Sequence, residues 1–112
     1  MHPLVLMLMG EMTAWAWSQR LPVVITETFT TLDEDLALKR VSSTHREGRA
    51  FDMSTKGWSQ NSIDQFIELF SKKYQGVAAQ TSDGKPLLIL HHDSGHGDHF
   101  HVQLNRAYSI FV

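Results

Sequence analysis

Ser43–Asp52 reads STHREGRAFD, and the pairing of its second half decides the fold. Gly48 permits a sharp turn, because a residue without Cβ enters conformations closed to others. Beyond it, Arg49 and Phe51 alternate with Ala50 and Asp52 as a strand requires, which puts Ala50 and Asp52 on one face. His45 and Asp52 therefore flank a turn that leads into a strand.

Working upstream, Pro22 interrupts the preceding pattern and VVITETF, Val23–Phe29, supplies a β-branched first strand. TLDEDLALKR, residues 31–40, is polar and charged and reads as a loop or short helix. Downstream, Ser62–Tyr74 predicts a helix. Ser62 and Gln65 form its capping box, Ile63, Phe66, Ile67, Phe70 and Tyr74 its apolar stripe, and Gly76 its stop. GVAAQTSDGKPLLILHH predicts a hairpin around Asp83 and Gly84 with Leu87–His91 as the return strand, and HFHVQL closes the sheet. The order helix, strand, loop, strand, helix, hairpin, strand indicates an α+β domain, a small mainly antiparallel sheet covered by helices.

The 112 residues suffice for one core, so residues 1–112 are read as a single domain. Hydrophobic content of 42% and charged content of 20% are those of a globular chain. A net charge of −2, with both signs interspersed, lacks the basic footprint of a nucleic-acid binder. Near the N-terminus, Leu4–Met9 is apolar, but no Lys or Arg precedes it and Glu11 interrupts it. The segment is too short to span a membrane and makes no convincing signal peptide. Leu4, Met7, Leu8, Glu11, Met12 and Trp15 follow helical spacing instead, as a first helix packing on the core.

There is no cysteine, so any metal must be held by His, Asp or Glu. Seven histidines are present and five of them fall between His91 and His101. Two imidazoles and a carboxylate leaving one open position make a catalytic zinc site, and His45, Asp52 and His101 could supply that set. His101 is preferred to His91 and His92 because it sits within a strand that can aim it. His99, two residues before, shares its face. Simple sequestration of metal by a histidine-rich loop is the bland alternative.

The pattern SxHxxGxAxD, here Ser43, His45, Gly48, Ala50 and Asp52, followed by DHFHV, resembles the zinc murein peptidases of the LAS group. The likeness is greatest to the M15 peptidases: D-Ala-D-Ala metallopeptidases, penicillin-insensitive murein endopeptidases and phage L-Ala-D-Glu endolysins. It covers Val23–Leu104. The resemblance implies a hedgehog/D,D-peptidase-like fold, one Zn2+ on His45, Asp52 and His101, and hydrolysis of peptidoglycan stem or cross-link peptides. It also implies catalytic groups just before the last ligand. Asp98 is assigned as general base and His99 as stabiliser of the charged tetrahedral intermediate, with the reverse assignment as the alternative. A bend before Phe100, eased by Gly95 and Gly97, is needed to bring Asp98 to the side of His101.

Ser43 is a candidate for orienting the first ligand cluster or the substrate, and His96 is either a solvent histidine or a substrate contact. The chain departs from the family where an Arg commonly follows the first strand: the stretch is TETFTT and the position is Thr30. Arg40, Arg46 or Arg49 could replace it, with Arg46 read as a solvent residue. The implied setting is the cell wall, reached as a phage-encoded or particle-associated lysin. The rival from another class is a noncatalytic zinc-binding, hedgehog-like module that binds a partner.

Overall fold

A computed structural model describes residues 1–39, 43–93 and 97–110. The first helix, α1, runs Pro3–Ser18. Pro3 occupies its first turn, and the His2 ring accepts the Leu4 amide at 3.0 Å as N-cap. Val5, Leu8, Met12 and Ala16 are buried, so the inward stripe is rotated from the expected one, and Met7 is half exposed. The helix is apolar on most sides, and its packing partner, not its periodicity, chooses the buried face.

Strand β1 is only Ile25–Glu27, shorter than expected. A short helix α2, Leu32–Ala37, follows with a capping box between Thr31 and Glu34. Strand β2 is Ala50–Ser54 and helix α3 is Gln60–Lys73. The cap of α3 is Ser59, whose hydroxyl accepts the Ser62 amide, so the expected Ser62–Gln65 box is displaced by one turn. Ser62 itself is already helical and leaves no N-cap role for its side chain. Lys73, at the half-exposed end of α3, and Tyr74 both donate to Glu11 of α1.

Beyond α3, β3 (Ala79–Gln80) and β4 (Pro86–Leu87) form a two-stranded hairpin with Gly84 at φ +83°. The return strand is divided, because Leu88 separates β4 from β5, Ile89–Asp93, which joins the main sheet. Strand β6 is Asp98–Gln103. The main sheet has the order β1-β2-β6-β5, every neighbour antiparallel. The protein is thus α+β, a small antiparallel sheet with helices.

One sheet face is the core. Phe51, Met53, Phe100 and Val102 are buried there with α1 and α3, and Phe66 stacks on Phe100 with ring centroids 4.3 Å apart. The alternation that turns these residues inward turns Asp52, Ser54, His99 and His101 to the other face. No helix among the described residues is long and apolar enough to cross a membrane.

Candidate metal centre

The centre is built on one register pair. Asp52 of β2 faces His101 of β6, and Ser54 faces His99. His45 arrives from the turn before β2: the Arg49 amide closes back on the Thr44 carbonyl, and Gly48 takes φ +71°. A Cβ on Gly48 would stand 3.3 Å from the Met1 Cα, so the turn needs glycine for both its conformation and its packing.

His45, Asp52 and His101 are 5%, 6% and 7% exposed, and one ligand atom from each lies within 4.8 Å of the others. Asp52 Oδ1 is 3.1 Å from His45 Nε2 and 2.8 Å from His101 Nδ1. His45 Nδ1 lies 2.7 Å from the Thr28 carbonyl, which can only accept, so this nitrogen carries a proton. His45 Nε2 must then either bear a second proton or turn a lone pair toward a carboxylate oxygen. A proton on Nε2 satisfies both atoms in the first case, and a metal ion between them satisfies both in the second. The donor set and its outer hydrogen bonds therefore fit a metal ion, with Thr28 fixing the tautomer of His45. On His101, Gln103 Oε1 at 3.1 Å and the Thr44 hydroxyl at 3.2 Å meet Nε2, and an Nε2–H to Gln103 leaves Nδ1 for the metal.

The electrostatics follow the same geometry. Burial alone would raise the Asp52 pKa, but hydrogen bonds from His101 and His45 outweigh it and hold the carboxylate far below its usual range. Burial opposes charge on His45, yet the hydrogen bond and negative charge of Asp52 prevail and its pKa is raised.

Beside the triad lies a cleft of about 560 Å³, with Asp52, Ser54, Asp98 and His99 along one wall. Thr26–Phe29, Glu34 and Leu38 form the other. His99 is 7% exposed and bonds the Gly97 carbonyl through Nδ1 at 3.0 Å. Asp98 is exposed and borders the cleft, but the expected bend is missing: β6 runs unbroken through Asp98–Gln103 because it pairs with β5 from Asp98 to Val102 and with β2 from His99 to Gln103. Ser43 is half-buried and is not a cleft residue; the hydroxyl that reaches His101 belongs to its neighbour Thr44. His96, Gly95 and Arg40 lie outside the described residues.

Thr30 is buried and donates to Asp35 at 2.7 Å. Arg46 is not a free solvent residue, since it reaches the same carboxylate at 3.4 Å, and Arg49 is buried against the Leu104 carbonyl and Glu47. Neither arginine replaces the missing one in the cleft.

Residues not anticipated as part of the site are Thr28, Thr44, Gln103 and Glu27. Glu27 lines the cleft because β1 bulges: Ile25 pairs with Met53 but Glu27 with Asp52, so Thr26 is the extra residue and the parity changes. No periodicity in the sequence signals that change. His92 lies opposite His99 with ring centroids 4.5 Å apart; burial and the neighbouring imidazoles lower its pKa. Comparisons with protein-family models, curated proteins and solved structures gave no match to this chain.

Proposed function

We propose that the chain is a zinc-dependent peptidase of the M15 kind, hydrolysing peptide bonds in peptidoglycan stem or cross-link peptides. The observation that carries the reading is the convergence of both sequence motifs on one register pair, Asp52 and His101, with His45 completing a buried donor set beside an open cleft. The choice of zinc rests on the two-imidazole, one-carboxylate composition, and the choice of murein peptides on the resemblance of the motifs. His45 Nε2, Asp52 Oδ1 and His101 Nδ1 would hold the ion. When bound, zinc lowers the pKa of a coordinated water toward about 7 and polarises a carbonyl.

The remaining work belongs to residues of the cleft wall. Asp98 borders the cleft at its exposed edge even without the bend, and from there it would take the proton of the attacking water and return it to the leaving amine. His99 is oriented by its Nδ1 bond to the Gly97 carbonyl with Nε2 on the side of Asp52, and a proton on Nε2 would stabilise charge developing on the scissile carbonyl oxygen. Glu27, Glu34 and Asp98 make the described wall acidic, and no Lys or Arg lines it. Such a wall favours a peptide whose nearby groups are neutral or cationic over one presenting a free carboxylate.

Digestion of purified sacculi with wild type, Asp98→Asn and His99→Ala tests the reading. The wild type should release new peptide termini, and each variant should retain zinc while losing about 10²- to 10⁴-fold in rate. Zinc bound at full stoichiometry with no termini released by the wild type would make the domain a noncatalytic metal-binding module.

A further inference from the structure

The site face of β6 continues past the metal centre. His99, His101 and Gln103 alternate to the same side, so His99 and Gln103 stand about 13 Å apart along the strand with His101 midway. His99 lines the acidic cleft. Gln103 lines a second pocket of about 430 Å³, together with Thr44, and both side chains meet His101 Nε2. This pocket carries the opposite charge: Arg49 and Arg106 line it, and no Asp or Glu among the described residues does. Arg49 is 8% exposed, and its Nε and Nη1 are fixed by Glu47 at 3.0 Å and by the Leu104 carbonyl at 2.6 Å. Glu47 offsets that charge, but Nη2 has no partner among the described residues and is not sealed from solvent. Arg106, two residues beyond Leu104, is exposed and has no partner among the described residues. The pocket thus holds one uncompensated cation and a second guanidinium with donors to spare, a combination that recognises a carboxylate.

We propose that this pocket is a second substrate subsite, which takes a carboxylate on Arg106 and Arg49 Nη2 while the acidic cleft beyond the triad takes the neutral or cationic part of the same peptide. At about 3.3 Å per residue, an extended peptide crossing His101 reaches the Gln103 wall two residues from the bond at the metal. The substrates it favours are peptides with a free carboxylate two or more residues to one side of that bond. Use of the pocket by a substrate rests on the peptidase reading above; carboxylate binding itself does not.

NMR titration of the full metal-free chain with N-acetyl-trialanine and with its C-terminal amide tests the pocket without hydrolysis, at about pH 7, where the free carboxyl is ionised. The proteins are wild type, Arg106→Gln and, as a control for net charge, Lys85→Gln, an exposed cation outside the pocket. The wild type should bind the acid about 10-fold more tightly than the amide, with the Gln103, Asn105 and Arg106 amide signals moving. Arg106→Gln should lose that preference and Lys85→Gln should keep it. Equal binding of acid and amide by the wild type, or equal loss in both variants, overturns the pocket. Sodium sulfate bound as tightly as the acid makes it a site for free anions and overturns the substrate role. A wild type that shows the preference but, loaded with zinc, releases no termini from sacculi counts against the proposed function instead.

Discussion

His45 and Asp52 show how two residues can make the stability of the metal-free chain depend on pH. The Asp52 pKa is lowered from its ordinary 3.8, so its contribution is present above that value and lost as pH falls through the depressed one. The His45 pKa is raised from 6.5, so its contribution is complete below 6.5 and lost as pH rises through the raised value. Metal-free protein should therefore gain most from the pair between about pH 4 and about 6.5. Zinc reverses the neutral limb, because it must displace the proton from His45 and binds better as pH rises. Denaturant melts from about pH 5 to about 8, with chelator and with zinc, should give slopes of opposite sign. Parallel curves would mean that no ion competes for His45.

At the scale of elements, α3 separates what a local motif can say from what a cap does. Ser62 followed by Gln65 has the form of a capping box, yet Ser59 accepts the Ser62 amide and the helix begins at Gln60. Ser59→Ala should cost about 1 kcal/mol, whereas Gln65→Ala, at an exposed position outside the cap, should stay within about 0.5 kcal/mol. Urea midpoints of the two variants decide between the assignments. The strands hold a similar lesson. Phe100 and His101 on β6 take opposite faces by simple alternation, so one segment closes the core and presents the ligand. β1 breaks that rule with its bulge, and this carries Glu27 to the cleft and the Thr28 carbonyl to His45.

The whole molecule joins a core face to a site face through a single four-stranded sheet, so metal binding should couple to global stability. Zinc at 100 times its dissociation constant should stabilise the fold by about 2.7 kcal/mol, raising the thermal midpoint by on the order of 10 °C for a chain of this size. Asp52→Ala should abolish the increment while the protein still folds, since Asp52 lies on the site face and not in the apolar core. Scanning calorimetry with and without zinc measures both. An equal increment in wild type and Asp52→Ala would place the ion elsewhere.

Composition and alternation in the sequence determine the α+β class, the absence of thiol chemistry, the shared face of Ala50 and Asp52, and the ligand-type residues His45, Asp52 and His101. These are properties of residue type and of spacing within a single strand, and neither depends on what packs against it. Only the tertiary structure decides that Asp52 meets His101 in register, that Thr28, Thr44 and Gln103 surround the imidazoles, and that His92 stands beside His99. It also decides that Arg46 and Thr30 are held by Asp35 and do not line the cleft. Each of these is a contact between strands or loops distant in sequence, set by register, bulge and packing, for which a local pattern carries no signal.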